Sequence, residues 1–518
     1  MLRNFKNIAA VCLSTGASRI LGLLRDIIIY AGLGAGLWSS AFLLAFTLPN
    51  LFRRLLGEGA LTSALVPVFG QVLHRNGRGA AFHFFSAVTL RLLLLLSILT
   101  TFGMLLLGAI RLSGVLDFRW SLAAELSVLL LPYMLFICLS AVFAAGLHVL
   151  GRFTAAASTP IVLNLAMILA MGGAMLLRRP PEEIIYWLCG GVLFGGILQL
   201  FIPAVDFARQ GWRPKLARAE GAPMRELRSL LVPALAGAAI LQVNIMISRL
   251  LAHGLNESAV SVLYLASRLM ELPLGLFTIS VTTVFFPLMA DHLARKDEAA
   301  FVESFSSGLR LILGISLPAG IGLFLLGEPL VELMRFGRFE GADAKTVAGL
   351  VSIYGCGLPF YSVATFGTRG LHASKAIYCT VQIAGLCLLI NLAGSLLFMQ
   401  FWAERGLALA NVVAALIQAV LLWRALGRRH DALHLKNLAE AGRKIIIASC
   451  IMAVFCLTGL LLLDACNLTG KAHAWIAIVT LIPGSIAVYF YLLYHQGFEE
   501  LNLLAEKYSK KLRSRAEQ

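Results

Sequence analysis

Long apolar runs separated by short polar breaks dominate the hydropathy pattern of this chain. A helix that crosses the roughly 30 Å hydrocarbon core of a bilayer needs about 20 predominantly apolar residues, and about fourteen runs of that order are present. The pattern therefore predicts an all-α, polytopic membrane protein with about 14 transmembrane helices. The approximate limits of the runs are 8–34, 38–72, 84–110, 123–147, 157–177, 184–205, 228–252, 259–290, 306–327, 346–370, 376–398, 405–423, 445–463 and 474–495.

The composition excludes a water-soluble protein of this size. Of the 518 residues, 59% are hydrophobic and 14% are charged, whereas soluble domains are about half apolar and about a quarter charged. The longest polar break has roughly twenty residues, while independent domains start at about fifty. A signal peptide is not expected, because the first run carries Arg19 and Arg25 and lacks a small-residue cleavage pattern. The function should therefore lie within the membrane.

The basic residues predict the orientation of the chain. The formal net charge is +16, and most Lys and Arg lie in the N-terminus, in alternate breaks and in the tail, with clusters at 209–218, 424–444 and 507–515. Cytoplasmic loops of membrane proteins carry such an excess, so both termini should be cytoplasmic. The clusters predict contact with anionic membrane lipids, and binding of nucleic acid is not expected.

Several kinds of chemistry are not expected in this chain. The nine cysteines are scattered singly, which argues against a metal site or a disulfide framework. The sequence has no Walker motif and no cluster of paired carboxylates, so we expect neither ATP hydrolysis nor a catalytic residue. No cofactor is predicted, and the membrane potential or a monovalent cation would supply energy. Gln242, Asn244, Asn391 and Asn411 could bind such a cation, although helix–helix hydrogen bonds are the favoured interpretation.

Charged residues inside the spans are the strongest functional signal. Each Arg near a helix centre costs about 2.5–3.5 kcal/mol to insert, so these residues should face a hydrated, protein-lined space. Four arginines near span ends are expected to snorkel to the headgroups. These are Arg91, Arg249, Arg310 and Arg369. Four others lie deeper and are the candidate substrate-binding residues. These are Arg19, Arg25, Arg53 and Arg268.

Helical spacing identifies local partners for some of these charges. Arg54 and Glu58 lie four residues apart, and Arg268 and Glu271 lie three apart, so each pair can form an ion pair on one helix face. Similar segments, an Arg-aliphatic-aliphatic start followed by Pro, occur at 54–67 and 268–287. This repetition is compatible with an internal duplication, which is typical of transporters with a site between two halves, or with chance.

The other deep charges have different surroundings along the sequence. The residue four positions after Arg53 is Gly57, and Arg19 and Asp26 are separated by about 10 Å along the helix axis. We therefore expect the four deep arginines to form a cationic surplus. The matching substrate is anionic, because guanidinium groups bind phosphate bidentately.

Five short stretches carry a family resemblance. They are Ser18-Arg19-Ile-Leu-Gly22-Leu-Leu-Arg25-Asp26, Leu48-Pro49-Asn50-Leu-Phe-Arg53-Arg54 with Glu58-Gly59-Ala60, Val66-Pro67-Val68, Ser267-Arg268-Leu-Met-Glu271-Leu-Pro273 and Phe336-Gly337-Arg338-Phe339. Together they resemble the MurJ (MviN) lipid II flippases of bacterial cell-wall synthesis, in the multidrug/oligosaccharidyl-lipid/polysaccharide exporter superfamily. The likeness runs from residue 1 to the last span.

The resemblance implies a fold and a function. The fold would consist of two pseudo-symmetric six-helix lobes and a C-terminal helix pair. The implied limits are 1–205 and 228–424 for the lobes, 206–227 and 425–444 for basic cytoplasmic linkers, 445–495 for the helix pair and 496–518 for a basic cytoplasmic tail. The function would be to move lipid II, an undecaprenyl-pyrophosphate-linked peptidoglycan precursor, from the inner to the outer leaflet of the bacterial inner membrane by alternating access. Cell-wall synthesis proteins would be its partners.

The resemblance also implies residue roles. Substrate binding would fall to Arg19, Arg25, Arg53 and Arg268, and gating or supporting roles to Asp26, Arg54, Glu58 and Glu271. Two departures remove negative charge, because Ser40 and Ser267 stand where family members can have Asp. A gating ion pair at those two positions is therefore in doubt.

Two other classes of protein stay open at this point. A multidrug transporter of the same superfamily would be expected to carry intramembrane carboxylates for cationic drugs, whereas Arg outnumbers acid in these spans. Other polyprenyl-linked oligosaccharides would suit the same arginines. A membrane-embedded polyprenyl-phosphate glycosyltransferase would need clustered catalytic acids, which the sequence lacks.

Overall fold

The computed structural model describes residues 2–215, 221–339, 341–430, 435–466 and 468–501, and all regular elements in these ranges are helical. The α-helices are α1 (Leu2–Leu33), α2 (Leu37–Phe52), α3 (Leu61–Leu112), α4 (Phe118–Leu130), α5 (Pro132–Val149), α6 (Thr154–Leu176), α7 (Pro181–Ala208), α8 (Ala222–Leu255), α9 (Ala259–Pro273), α10 (Ile279–Ala294), α11 (Glu298–Leu333), α12 (Gly341–Ala373), α13 (Ile377–Gly427), α14 (Leu435–Ala465), α15 (Gly470–Ile476) and α16 (Ile482–His495). Three π-helical segments are π1 (Arg53–Ala60), π2 (Leu274–Thr278) and π3 (Ala477–Leu481).

The helix lengths agree with the predicted spans. Within the described ranges, 11 helical stretches are long and apolar enough to cross a membrane. Two of them, Leu37–Leu112 and Ile377–Gly427, contain a non-helical break, at Gly77 (φ 76°) and at Ala403 (φ 48°), and so hold two spans each. These stretches and α1 account for the fourteen predicted spans. The predicted all-α, polytopic membrane fold is confirmed.

The repeated sequence segments fold alike. α2 contains Pro49 and continues through π1 into α3, which contains Pro67. α9 ends with Pro273 and continues through π2 into α10, which contains Pro287. Both segments thus have the order α-helix, π-helix, α-helix, and π-helical turns occur frequently at functional sites.

The chain forms two compact units. The first contains residues 1–261 and 336–340, and thus includes α8. Its core includes a cluster of aromatic rings, in which a Cβ atom at Gly146 would lie 2.7 Å from Phe207 and 2.8 Å from Phe85. Trp212 packs there and donates from Nε1 to Ser86 Oγ at 2.9 Å, so the chain after α7 is held on this core.

The second unit contains residues 262–335 and 341–518. Its C-terminal helices pack on α11, where the Tyr489 hydroxyl donates to the carbonyl of Gly314 at 2.6 Å. Arg310, also on α11, is buried and forms ion pairs with Glu500 and, at 3.5 Å, with Glu499. The prediction that Arg310 snorkels is therefore wrong, because carboxylates of the segment after α16 neutralise it inside the unit. The implied lobe, linker and tail limits stay predictions, and 216–220, 431–434 and 502–518 lie outside the described residues.

Candidate functional site

Arg25 of α1 is held from two sides. Its Nε and Nη2 donate to Asp26 Oδ1 at 3.0 Å and 2.6 Å, and its Nη1 donates to Asn164 Oδ1 of α6 at 3.0 Å. The Asn164 amide in turn donates to the carbonyl of Ser18 at 3.2 Å, which ties α6 to α1. Asp26 is 1% exposed and the Arg25 side chain is 12% exposed. Two of the predicted site residues thus form one buried ion pair.

Arg53 begins π1 and is half-buried. Its Nε donates to Asn50 Oδ1 at 3.1 Å, and Asn50 Nδ2 donates to the carbonyl of Phe46 at 3.0 Å. The Asn50 amide therefore orients the guanidinium from the preceding turn. An amide is neutral, so this hydrogen bond positions the group without cancelling its charge.

Arg249 of α8, which the sequence interpretation did not place among the candidate site residues, contacts α2. Its Nη1 donates to the carbonyl of Leu43 at 3.0 Å and to the hydroxyl of Thr47, both on α2. The prediction that Arg249 snorkels to the headgroups is wrong, because its guanidinium turns to a neighbouring helix. Leu43, Thr47, Asn50 and Arg53 follow one another at helical spacing, and with Arg249 they are called here the arginine face of α2.

The remaining predicted residues of the first unit are less enclosed. Arg19 is exposed on α1, next to Ile20, which is 71% exposed. Arg54 is exposed at the start of π1. The side chain of Glu58 lies outside the described residues, so its ion pair with Arg54 stays a prediction.

The second unit contains the predicted pair on α9. Arg268 Nη1 donates to Glu271 Oε2 at 3.3 Å, and the two side chains are 33% and 46% exposed. This ion pair, predicted from the spacing of three residues, is confirmed. The structure therefore brings together Arg25 with Asp26 and Arg268 with Glu271, and it adds Arg249 next to the turn that holds Arg53.

The motif at 336–339 packs on the end of α1. The Arg338 backbone N–H donates to the carbonyl of Ala31 at 2.9 Å, and Phe339 is fully buried with its ring 5.5 Å from that of Tyr30. Gly337 has φ +59°, and a Cβ atom there would collide with the Ala31 carbonyl oxygen and lie 3.0 Å from its carbon. Only glycine allows this close approach.

Hydrogen bonds of hydroxyl groups add to the packing around Phe339. The Tyr30 hydroxyl donates to the carbonyl of Ser261 at 2.8 Å, and the hydroxyls of Ser39 and Ser261 lie 2.9 Å apart. Ser40 Oγ accepts from the Ser261 backbone N–H at 3.3 Å. Ser40, one of the two departures from the family pattern, thus contributes a neutral hydrogen bond. We call this region the uncharged seat. It comprises Tyr30, Ala31, Ser39, Ser40, Ser261, the backbone of Phe336–Arg338 and Phe339.

In the part of the chain that the structure describes, no group of three or more His, Cys, Asp or Glu side chains could hold a metal ion.

Comparisons with known proteins identify the family. The model of the lipid II flippase MurJ family matches residues 29–481. Probable lipid II flippases MurJ of Rhizobium tropici and Rhizobium meliloti (strain 1021) are each 31% identical to this chain, over 449 and 512 residues. The first alignment covers 85% of this chain and 84% of the relative, and the second covers 96% and 95%.

Solved structures share the fold. A structure described as lipid II flippase MurJ in an inward closed conformation superposes with a TM-score of 0.78 at 23% identity, covering 95% of this chain and 99% of the other. An inward-facing multidrug resistance MATE family transporter gives a TM-score of 0.66 at 13% identity, covering 82% and 98%. Because the family model spans most of the sequence and close-length relatives exceed 30% identity, the chain belongs to the lipid II flippase MurJ family.

Proposed function

We propose that this protein moves lipid II from the inner to the outer leaflet of the bacterial inner membrane, as a transporter and not as an enzyme. The observation that carries the proposal is that arginines predicted to bind an anion, Arg25 and Arg53, are held by asparagine amides in the membrane-spanning helices of a MurJ family member. This activity supplies peptidoglycan precursor for the cell wall.

The headgroup is the part of lipid II that the protein must carry. It is large, polar and anionic, whereas the polyprenyl tail remains in the lipid. Arg19, Arg25, Arg53 and Arg268 replace the water and cations that the pyrophosphate loses, through bidentate charge-assisted hydrogen bonds. When no substrate is bound, Asp26 stabilises Arg25 in its buried position, because an uncompensated buried charge is costly. The pyrophosphate then competes with Asp26 for the same guanidinium.

The energy for transport comes from the membrane. Moving negative charge outward, in the direction that an inside-negative potential favours, releases about 2.3 kcal/mol per charge per 100 mV. A monovalent cation gradient is the second source that we propose, since the sequence has no nucleotide-binding motif.

Both termini face the cytoplasm in this proposal, and the basic segments between the spans contact anionic lipids and cell-wall synthesis proteins. Reporters fused after Arg428 and after Gln518 should read cytoplasmic, and one inserted near Gly341 should read external. An external C-terminus would contradict the orientation.

Binding of purified protein to defined lipids tests the substrate class. Undecaprenyl-pyrophosphate-linked sugars should bind at least tenfold more tightly than their neutral undecaprenol counterparts, which corresponds to about 1.4 kcal/mol. Binding should weaken as salt rises, because the contacts are electrostatic. Equal affinity for charged and neutral lipids would remove the role of the arginines, and tight binding of cationic dyes would favour a multidrug transporter.

A further inference from the structure

The end of α8 is bonded to the start of α4 in both directions. His253, in the last turn of α8, is 0% exposed, and its Nε2 lies 3.3 Å from the backbone carbonyl oxygen of Arg119. The Arg119 guanidinium donates from Nη2 to the carbonyl of Gly254 at 3.5 Å. The Trp120 ring packs against the His253 ring at an angle of 86°, with 4.6 Å between their centroids. We call these four residues the α4–α8 contact.

The carbonyl of Arg119 determines which nitrogen of His253 carries the proton. A carbonyl oxygen only accepts, so Nε2 must donate to it, and a neutral imidazole has one N–H. Nδ1 is then the unprotonated nitrogen. Among the residues that the structure describes, the buried Nδ1 of His253 has no hydrogen-bond partner. The α4–α8 contact therefore fits neutral His253 and offers no acceptor for a second proton.

Two charged groups of α4 act on His253, and they act in opposite directions. The guanidinium of Arg119 repels a positive charge on the imidazole, whereas the carboxylate of Asp117, the N-cap of α4, attracts it. The Asp117 side chain is 59% exposed and lies 4.0 Å from Arg119, so water and that guanidinium weaken its attraction. Neither group can accept the Nδ1 proton inside the contact.

The charged groups of the other elements at this end of the first unit are exposed or have partners of their own. Arg249 lies one turn before His253 on α8 and donates to α2, which has no charged residue. Arg111 at the end of α3 lies 2.6 Å from Glu125 of α4. Glu257 is exposed in the turn after α8. A proton on Nδ1 would thus place an uncompensated positive charge in a buried position.

We propose that the α4–α8 contact is an acid-sensitive switch, which forms while His253 is neutral and opens when His253 binds a proton. Burial of an unpaired charge costs free energy, and the protonated ring regains its hydration only by leaving the contact. Free histidine takes up a proton at about pH 6.5. The contact is therefore stable above this pH and weakens as the pH falls below it.

The switch lies where the chain leaves the first unit. After α8, the Asn256 side chain accepts from the backbone N–H groups of Ser258 and Ala259, and the second unit begins at residue 262. Opening of the contact frees the end of α8 directly before this passage. In the orientation proposed above, this end faces the outside, so the switch would respond to external acid. Only the side of the membrane rests on that orientation, and the switch itself does not depend on lipid II transport.

Hydrogen exchange of the purified full-length protein at about pH 7.5 and about pH 5.5 tests the switch. In the wild type, backbone amides at the start of α4 and the end of α8 should exchange up to about tenfold faster at the lower pH, after correction for intrinsic rates, because each pH unit below the titration of free histidine favours opening at most tenfold. His253→Gln keeps an N–H donor for the Arg119 carbonyl but does not titrate, so it should show no such acceleration. His74→Gln, the same change at an exposed position of α3, is the matched control and should behave as the wild type does.

A second variant keeps the test decisive if His253→Gln does not fold. Arg119→Gln keeps a donor for the Gly254 carbonyl and removes the repelling charge, so the acceleration at the lower pH should be smaller than in the wild type. Equal acceleration in the wild type and in whichever variants fold would overturn the proposal, as would a wild type without acceleration. Lipid binding at about pH 7.5, where the contact is formed, tests the proposed function separately.

Discussion

The arginine face of α2 and the uncharged seat are two regions of one unit that are held by different kinds of contact. On the arginine face, the guanidinium groups of Arg53 and Arg249 donate to an amide oxygen, a hydroxyl and a backbone carbonyl of α2. In the seat, a backbone N–H, serine hydroxyls and two aromatic rings make the contacts. The comparison teaches that charged side chains join helices in one region, whereas neutral, close packing joins segments of the chain in the other.

Removing an arginine should have the largest effect. Arg53→Ala should reduce lipid II transport at least about thirtyfold, since losing one partner of a desolvated charge pair costs about 2–5 kcal/mol. Arg19→Ala, Arg25→Ala and Arg268→Ala should resemble it, whereas Arg54→Ala should be milder. Complementation of cells depleted of the protein measures the loss, and immunoblotting of membranes measures abundance. If all five variants disappear from the membrane, the arginines are structural and the contrast with the seat is lost.

Filling the glycine of the seat should have the next largest effect. Gly337→Ala adds a methyl group against the Ala31 carbonyl and should cost about 1–3 kcal/mol beyond the backbone strain. Gly341→Ala is the matched control, because Gly341 also has φ +59° but no atom within 4 Å of the added carbon. The thermal unfolding midpoint of Gly337→Ala should therefore be clearly lower than that of Gly341→Ala. Equal midpoints would show that the close approach does not stabilise the seat.

Removing an anchor while keeping its arginine should have a moderate effect. Asn164→Ala deletes the acceptor of Arg25 Nη1 and the donor to Ser18, and each such hydrogen bond contributes about 0.5–1.5 kcal/mol. We expect transport to fall several-fold, less than in Arg25→Ala. Gln210→Ala is the control and should transport normally, because among the bonds described the Gln210 amide donates only to the carbonyl of Asp206, four residues before it. Transport by Asn164→Ala at the wild-type rate would mean that Arg25 needs no amide anchor.

A change in salt concentration should have the smallest effect. It should weaken lipid II binding by the arginines and leave the contacts of the uncharged seat nearly unchanged. The Ser39 and Ser261 hydroxyl oxygens lie 2.9 Å apart. A double variant that combines Ser39→Cys and Ser261→Cys can therefore form a disulfide, which reports that these two residues of the seat are in contact. Its rate of formation under a fixed oxidant should change less than about twofold between low and high salt, because neutral contacts are not screened. Lipid II binding should weaken over the same range. Single-cysteine variants control for the native thiols, and a strongly salt-dependent rate would contradict the uncharged character of the seat.

The sequence predicted those features that depend on neighbouring residues. The spans follow from run length and hydropathy, and their breaks at Gly77 and near Ala403 lie between predicted runs. The Arg268–Glu271 pair follows from helical spacing alone. These features need no knowledge of which helices pack together.

The features that the sequence did not predict join distant parts of the chain. Arg249 contacts residues about two hundred positions away, and Arg338 contacts Ala31 about three hundred positions away. Both arise from helix packing, which hydropathy does not encode, because lipid-facing and protein-facing apolar residues look alike. A weak signal was present on α2, where Thr47 and Asn50 interrupt an apolar run at helical spacing.

The π-helical segments give the binding region a mechanical property of its own. Each turn of π-helix carries an additional residue relative to an α-helix, because its hydrogen bonds join residues i and i+5. Exchanging such a bond for an i to i+4 bond moves the additional residue along the helix. Each side chain that the additional residue passes is rotated by about 100°, and the helix remains continuous. Since π1 begins at Arg53, a shift of this kind would rotate the Arg53 guanidinium about the helix axis while both flanking helices stay intact. A local change of winding in π1 would therefore reorient Arg53, which we propose to contact the anion, at a cost of single hydrogen bonds.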